Sequence, residues 1–405
     1  MTDLGFPDGA AWPLTIVGVA LVLASLRGRS VGGALLVGAV SGFAFYGTLI
    51  EWLTIYLGVV PWLALTLAQV FFTSLGAVVI TLAWRWVPRA WPGTAGRLLL
   101  TPVIVAGAWA LLVVVAIESR EGVLRRSILV VGVTATALVW PAFPVTVTGT
   151  TTVAAVQGNS DAGLFAGREP GDILQDHYDA TVPLFDTGLD LDMVVWPENA
   201  SDLDPLRSEL SAAVLDQVSD RLDAPVVVGT ITVDGDETFN SALLWRDGES
   251  AIDQYDKVRP VPFAEYLPAR EFFYPLAPDL FDLVPRDYAF GQRDTVFDID
   301  GVIAGIAICF DIVDDDLLQR MVDEGAQVLL APTNNADFGR TDQSVQQLGI
   351  ARLRAIEQGR SLVNASTVGA SAIVAPDGST IDDLPLFAVA EPAAPPLRAS
   401  AVDEA

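Results

Sequence analysis

The sequence predicts a polytopic α-helical membrane region followed by an α/β domain, and three observations support this division. Apolar runs of about 20 residues, the length that crosses a bilayer, recur through the first 150 residues. From residue 151 onwards, short apolar runs alternate with amphipathic stretches, which is typical of sheets covered by helices. The net charge also changes, from +3 over residues 1–150 to −30 over residues 151–405, within a total of −27. We therefore expect a transmembrane domain over 1–150, an α/β domain over 151–390 and a C-terminal tail over 391–405.

Five apolar runs are candidate membrane-spanning helices, and Trp and Tyr residues lie near their ends, as expected in the headgroup zone. The runs are residues 11–26, 31–49, 58–83, 98–117 and 127–147. Arginines in short loops favour the cytoplasm. The loops on both sides of 98–117 are rich in arginine, so this run is re-entrant or one of the two loops breaks the rule.

The arginines before the last run decide the expected orientation. If Arg120, Arg125 and Arg126 stay in the cytoplasm, the run at 127–147 leads outwards and the acidic domain lies outside. We therefore expect a multi-pass protein of the cytoplasmic membrane whose α/β domain is extracytoplasmic.

Composition excludes several classes of function. The strongly acidic second part argues against a nucleic-acid partner, because phosphates would be repelled. Cys309 is the only cysteine, which excludes an intrachain disulfide and a cysteine-based metal cluster. His177, the only histidine, lies in a polar, helix-like stretch and is expected at the surface. We expect no metal and no cofactor.

Three reactive side chains follow apolar runs that are predicted to be buried strands. Glu198 follows VVWP, Lys257 follows the run that ends at Tyr255, and Cys309 ends VIAGIAIC. Lys257 is also the only lysine among 23 basic residues. Loops after buried strands are where α/β proteins usually carry their chemistry.

A carboxylate, an ammonium and a thiol can together carry out acyl chemistry. The thiolate attacks a carbonyl carbon, the carboxylate takes the thiol proton, and the ammonium stabilises the developing oxyanion. Each residue alone also has an ordinary interpretation: a buried cysteine packs as a small apolar group, a glutamate can cap a helix, and a lysine can be a surface charge. The combination on three strand ends favours the chemical interpretation.

Five sequence motifs resemble those of one known family. WPENA, YDKVRPVPFAEYLP, ICFD, NNADFG and ARLRAIEQGR occur in this order behind a helical membrane region. Together they are similar to the apolipoprotein N-acyltransferases, membrane enzymes of the nitrilase, or carbon-nitrogen hydrolase, superfamily. The resemblance is strong over roughly 150–380 and looser in the membrane part. It implies a four-layer α-β-β-α sandwich.

The resemblance also implies roles for individual residues. Glu198 would be the base, Lys257 the oxyanion stabiliser and Cys309 the acylated nucleophile. The implied supporting residues are Glu265, Phe310, Asp311 and Asn334. The chain departs from the family pattern at three positions: Phe310 and Asp311 replace the Tyr and Glu of I-C-Y-E, and Asp337 replaces the aromatic residue of N-D-A-W-F-G.

The function implied is transfer of a fatty acyl group from a phospholipid, through a cysteine thioester, to the N-terminal amine of a diacylglyceryl-cysteine lipoprotein. The expected partners are a phospholipid donor, a diacylated lipoprotein acceptor and membrane lipids, with the protein itself a monomer. The family usually has about eight spans, so this chain is expected to be a shortened member. Two alternatives stay open: a membrane-tethered amidase or nitrilase with water as the acceptor, and a non-catalytic remnant.

Overall fold

The computed structural model describes residues 12–56, 58–90, 147–160, 167–276, 278–282, 287–384 and 397–402. The chain divides into two compact units, Met1–Ala142 and Phe143–Ala405. They correspond to the helical part and the α/β part of the sequence.

The described part of the first unit consists of helices. They are α1 Trp12–Leu26, α2 Val31–Leu49, α3 Leu53–Tyr56 and α4 Val59–Ala90. Two stretches, Val31–Leu49 and Val59–Trp86, are long and apolar enough to cross a membrane, and Pro13–Leu26 is a shorter apolar helix. The predicted spans at 31–49 and 58–83 thus fall on helices, whereas the predicted spans at 98–117 and 127–147 lie outside the described residues, except that Val147 begins a strand.

Helices α2 and α4 pack through small residues. A Cβ atom built on Gly38 would lie 2.5 Å from the Ser74 Cα atom, and one built on Gly42 would lie 3.0 Å from the Thr73 Cβ atom. Spacing of this kind lets two apolar helices approach backbone to backbone. The outward faces remain strongly apolar, since the exposed large side chains of these two helices include Leu36, Val40, Phe71 and Phe72.

In the described residues of the second unit, the strands form two six-stranded sheets. The first has the order β12-β1-β2-β3-β4-β5 and the second the order β11-β10-β9-β8-β7-β6. The strands are β1 Val147–Ala155, β2 Met193–Val195, β3 Val226–Asp234, β4 Glu237–Arg246, β5 Ser250–Asp256, β6 Val296–Ile299, β7 Val302–Ile306, β8 Val328–Thr333, β9 Ser361–Ser366, β10 Ser371–Val374, β11 Thr380–Leu384 and β12 Leu397–Val402. The helices are α5 Asp172–Thr181, α6 Glu209–Leu222, α7 Arg270–Phe273, α8 Pro278–Phe281, α9 Asp315–Asp323 and α10 Gln343–Gln358.

Each sheet has a parallel centre. Strands β1, β2 and β3 run parallel in the first sheet, and β7, β8 and β9 run parallel in the second. Strands β4 and β5 extend the first sheet as an antiparallel meander. The carboxyl ends of the parallel strands lie at one edge of each sheet. The loop after β2 begins at this edge of the first sheet, and the loops after β7 and β8 begin at this edge of the second.

The two faces of the first sheet pack into two different apolar cores. Met193 and Val195 of β2 belong to a core that also includes β7, β8, β9 and residues of α9 and α10. Val194 and Trp196 belong to the other core, with residues of α5 and α6. Successive side chains of a strand point to opposite faces, so β2 is buried on both sides.

The structure differs from the sequence-based expectations at two places in this unit. Leu397–Val402, within the region expected to be a tail, forms β12 and pairs antiparallel with β1. His177, expected at the surface, is fully buried in α5. Its ring lies 5.8 Å from that of Trp196 and against Gly158, where an added Cβ atom would come within 2.9 Å of the ring. The prediction that His177 lies at the surface was wrong. It rested on the polar residues beside His177 in sequence, whereas the His177 side chain itself is on the buried face of α5.

Candidate active site

The structure brings Glu198, Lys257 and Glu265 into direct contact. The Lys257 Nζ atom donates to the Glu198 Oε1 atom at 2.9 Å and to the Glu265 Oε1 atom at 3.1 Å. Glu198 follows β2 and Lys257 follows β5, so the contact joins loops from two strands of the first sheet. Lys257 is 1% exposed and Glu198 is 4% exposed.

The buried Lys257 ammonium is stabilised by its two carboxylates. Burial opposes its charged form, but the negative charges of Glu198 and Glu265 outweigh burial and raise the pKa of Lys257 well above its usual value. The side chain therefore stays charged at neutral pH. An always-charged, buried donor is the kind of group that can stabilise an oxyanion.

Glu198 accepts hydrogen bonds on both carboxylate oxygens. Besides Lys257, the Asn240 Nδ2 atom donates to Oε1 at 2.7 Å, and the Asn334 backbone N–H donates to Oε2 at 2.7 Å. The loop that carries Glu198 runs close to Gly229 of β3, where an added Cβ atom would lie 2.3 Å from the Pro197 carbonyl oxygen. The carboxylate is therefore fixed in position, and Asn334 contributes through its backbone.

Asn240 is a member of the site that the sequence analysis missed. Its Nδ2 group donates to Glu198 and also to the Glu265 Oε1 atom at 2.7 Å. It is 1% exposed and lies in β4. The sequence feature that could have indicated Asn240 is a carboxamide directly before the apolar run SALLW. In the structure this residue pairs with Ile231 of β3 and is buried.

Cys309 begins the turn after β7 in a strained backbone conformation. Its φ angle is 49°, in the left-handed region that non-glycine residues rarely adopt. Burial and the Glu198 carboxylate raise the pKa of the thiol to about 12, although the Lys257 charge and the Thr333 hydroxyl act in the opposite direction. The resting thiol is therefore protonated at neutral pH and needs a base to become a nucleophile.

Asp311 connects the lysine loop to the cysteine turn. It accepts hydrogen bonds from the Tyr255 hydroxyl at 2.7 Å, the Arg259 backbone N–H at 2.7 Å and the Ile308 backbone N–H at 3.2 Å. Burial raises the pKa of this carboxyl to about 6, although Lys257 lowers it. Phe310, beside it, is instead 38% exposed. The shorter Asp side chain thus still reaches both loops.

Glu265 lies at the more open side of the cluster. Its Oε2 atom accepts from the Val261 backbone N–H at 2.6 Å, and its own N–H donates to the Val261 carbonyl. This turn holds the second carboxylate on Lys257. In the described part of the chain, no three His, Cys, Asp or Glu side chains form a group that could hold a metal ion.

Each of the two units matches a known protein family. Residues 152–390 match the carbon-nitrogen hydrolase family, and residues 1–116 match the N-terminal domain of apolipoprotein N-acyltransferase. An apolipoprotein N-acyltransferase of Mycolicibacterium smegmatis is 31% identical over 450 residues, covering 93% of this chain and 75% of the relative. The chain belongs to the apolipoprotein N-acyltransferase family. The resemblance inferred from the sequence motifs is therefore confirmed, and the second unit has the nitrilase fold with two sheets.

Other apolipoprotein N-acyltransferases match over different lengths. The one from Vibrio vulnificus is 25% identical, over 96% of this chain and 88% of its own length. The one from Vibrio cholerae is 30% identical, over 59% of this chain and 48% of its own. The chain thus spans about half of some of its family relatives and most of others.

Solved structures of nitrilase-superfamily proteins are similar to part of this chain. The match with Saccharomyces cerevisiae Nit3 covers 59% of this chain and 88% of the Nit3 chain, with 17% identity and a TM-score of 0.45. The match with an amidase from Nesterenkonia sp. covers 64% of this chain and 93% of the amidase chain, with 16% identity and a TM-score of 0.45.

Proposed function

We propose that this chain transfers a fatty acyl group from a phospholipid to the N-terminal amine of a diacylglyceryl-cysteine lipoprotein, through a thioester on Cys309. The observation that carries the proposal is the buried Lys257 ammonium between Glu198 and Glu265, close to the only thiol of the chain. Membership of the apolipoprotein N-acyltransferase family supports this choice of substrates.

The first half of the reaction would acylate the enzyme. Glu198 takes the proton of the Cys309 thiol, and the sulfur attacks the carbonyl carbon of a phospholipid ester. The Lys257 ammonium stabilises the oxyanion of the tetrahedral intermediate. The intermediate collapses when the ester C–O bond breaks, and the leaving alkoxide takes the proton back from Glu198. The products are a thioester and a lysophospholipid.

The second half would deacylate the enzyme. The neutral amine of the acceptor attacks the thioester carbonyl, Glu198 takes a proton from the amine, and the C–S bond breaks. The thiolate then regains this proton from Glu198, and the acceptor leaves as an amide. Glu265 and Asn240 hold the carboxylate and the ammonium in place throughout, and Asn334 fixes the other oxygen of Glu198. Asp311 connects the two loops, and Phe310, which follows the thiol in the chain, is partly exposed.

The same proposal includes the setting of the enzyme. We place it in the cytoplasmic membrane as a multi-pass monomer, with a four-layer α-β-β-α catalytic domain on the outer side. The two apolar cores of the second unit and the apolar helices of the first support this arrangement. Protease added to intact spheroplasts should cleave within 151–405. Protection until lysis would contradict the orientation.

The thioester gives the decisive experiment. Membranes that contain the chain and acyl-labelled phospholipid, but no lipopeptide, should accumulate one labelled acyl group on the protein. Since Cys309 is the only cysteine, the site of a thioester is unambiguous. Neutral hydroxylamine should release the label, and a diacylated lipopeptide should discharge it into an amide.

The matched control is Cys309→Ala, which should carry no label. Steady release of free fatty acid without acceptor would instead indicate a hydrolase that uses the same residues. A folded protein that forms neither the adduct nor fatty acid would be a non-catalytic member of the family.

A further inference from the structure

Arg354 of α10 is a buried arginine that binds the end of the cysteine turn, the five residues Cys309–Val313. Its Nε atom donates to the Ile312 carbonyl oxygen at 3.0 Å, and its Nη2 atom donates to the Val313 carbonyl oxygen, also at 3.0 Å. The last carbonyls of a helical turn have no partner within the turn. The guanidinium of Arg354 therefore supplies donors that the cysteine turn itself lacks.

The direction of these two hydrogen bonds is fixed by the chemistry of the groups. A guanidinium can only donate, a carbonyl oxygen can only accept, and the planar fork of a guanidinium suits two neighbouring acceptors. The Arg354 side chain is itself held by ion pairs with Glu357 on the same helix and with Asp315 at the start of α9. Arg354 thus joins α10 to the cysteine turn in one defined geometry.

The cysteine turn is held from two sides. On one side, the Asp311 carboxylate binds the Tyr255 hydroxyl of β5 and the Arg259 backbone N–H of the lysine loop. On the other side, Arg354 binds the end of the turn. Cys309 has the strained φ angle of 49°, and a strained backbone persists only where the surrounding structure holds it. The contacts of Arg354 are therefore of the kind that a strained nucleophile needs.

We propose that Arg354 is a positioning residue for the nucleophile, which keeps Cys309 in its strained conformation by binding the two carbonyls at the end of the cysteine turn. The inference rests on the proposed function, in which Cys309 is the nucleophile. Arg354 acts through the backbone of the turn. Without its guanidinium, the turn can relax and the thiol can move away from Glu198, the carboxylate that is to take its proton.

The pH dependence of Cys309 alkylation reports the surroundings of the thiol. Burial and the Glu198 and Glu265 carboxylates raise the pKa of the thiol to about 12, and the Lys257 charge acts in the opposite direction. In the full parent chain, the rate of modification by iodoacetamide should therefore keep rising up to pH 10, because only the thiolate reacts. A released thiol approaches its usual pKa of 9.0. The rate in Arg354→Met should then bend near pH 9 and be at least about tenfold higher at pH 8.

Acylation should change in the opposite direction. Iodoacetamide is small and needs only an accessible thiolate, whereas the acyl step needs the sulfur placed beside both the base and the oxyanion donor. Single-turnover thioester formation from phospholipid should therefore fall at least about tenfold in Arg354→Met. The phospholipid concentration that gives half of the maximal rate should stay the same, because Arg354 acts on the nucleophile.

Arg360 provides a matched control for the loss of a buried arginine. Its Nε atom donates to the Ala326 carbonyl oxygen at 2.7 Å, and its side chain is as buried as that of Arg354. Ala326 and Arg360 precede the parallel strands β8 and β9, so they lie at the edge of the second sheet opposite to the edge where Cys309 follows β7. Arg360→Met should lower the unfolding temperature but leave the alkylation profile and the acylation rate of the folded protein unchanged.

The comparison of the two variants separates positioning from stability. A general loss of stability would speed alkylation in both variants alike, because the unfolded chain exposes the thiol. An Arg354→Met profile that coincides with that of the parent or of Arg360→Met would overturn the proposal. If Arg354→Met does not fold, Arg354→Lys should show the same changes relative to Arg360→Lys, since lysine keeps the charge beside Glu357 but lacks the fork that binds two carbonyls.

The alkylation assay needs neither phospholipid nor acceptor. If the alkylation profile of Arg354→Met changes as expected but the parent forms no acyl thioester, the role of Arg354 stands and the proposed acyl transfer fails. If the parent forms the thioester and the alkylation profile of Arg354→Met is unchanged, the reverse holds.

Discussion

At the scale of single residues, Lys257 has an environment that suits a compact cation. Its Nζ atom contacts two carboxylates at 2.9 and 3.1 Å, and the Asn240 carboxamide contacts the same two oxygens. A guanidinium is planar and wider than an ammonium, and it distributes its hydrogens in a fixed fork. The retention of one lysine in a chain that otherwise uses arginine is consistent with this shape requirement.

We expect Lys257→Arg to lose acyl-thioester formation by about 10²–10³-fold, the cost of removing one oxyanion donor. The charge is retained, but the larger head group displaces Glu198 or Glu265 in a site that is 1% exposed at Lys257. Single-turnover labelling of Cys309 measures the loss, and thermal unfolding checks that the fold persists. The control is the surface change Arg221→Lys, which should label normally; near-parent labelling of Lys257→Arg would show that only positive charge is needed.

At the scale of elements, the close approach of α2 and α4 depends on individual glycines. Gly38 has the Ser74 Cα atom, the Thr73 carbonyl oxygen and the Ala77 Cβ atom within 3.0 Å of where its Cβ would lie. By contrast, Gly76 of α4 has nothing within 4 Å of its Cβ position. The two glycines therefore differ in packing while sharing an apolar helical setting.

We expect Gly38→Ala to lower the thermal stability of the full chain in detergent, because the helices must separate to admit the new methyl group. Gly76→Ala is the matched control and should be neutral or slightly stabilising, since alanine is the better helix former. The measurement is the unfolding temperature of the purified protein. Equal behaviour of the two variants would mean that α2 and α4 do not pack closely through Gly38.

The elements also show what the sequence could and could not predict. Strand ends after apolar runs made Glu198, Lys257 and Cys309 candidates, because a buried strand and the polar residue that follows it can both be recognised in a short stretch of sequence. Asn240 escaped notice because its partners come from loops 42 and 25 residues away. The hydrogen bond that Thr333 accepts from Gln347 likewise depends on a helix that only the tertiary fold brings close.

Strand β12 was missed for a related reason. LRASAV carries little apolar signal, and its strand conformation depends on pairing with β1, which begins at Val147, about 250 residues earlier. The burial of His177 depends on Gly158 and Trp196, which meet it only in the folded domain.

At the scale of the whole molecule, two buried titratable groups give the stability opposite dependences on pH. Burial lowers the pKa of His177 to about 4 from 6.5. The unfolded chain therefore binds the extra proton first, and this contribution to stability falls as the pH drops from 6.5 towards 4. Burial raises the pKa of Asp311 to about 6 from 3.8, so its contribution instead rises as the pH drops through that interval.

We expect His177→Phe to remove the contribution of His177, which makes the fold less stable in acid, and to leave the opposite contribution of Asp311 unchanged. Relative to its own value at pH 7, the variant should retain roughly 2–3 kcal/mol more stability at pH 4.5 than the parent does, since one pKa unit corresponds to about 1.4 kcal/mol. Unfolding of both proteins in one detergent, measured from pH 7 to 4.5, tests this. Parallel curves would show that His177 is not the group that titrates.

The pairing of β1 with β12 also determines when the domain can finish folding. Val147 pairs with Val402 and Val153 with Leu397, so the first and last strands among the described residues lie side by side. During synthesis, the outer edge of β1 has no partner until Leu397–Val402 has left the ribosome, and closing so long a loop is slow. An unpaired strand edge invites pairing with other chains. A chain without Leu397–Val402 would keep this edge of β1 open, so pairing with β12 protects the newly made domain against aggregation.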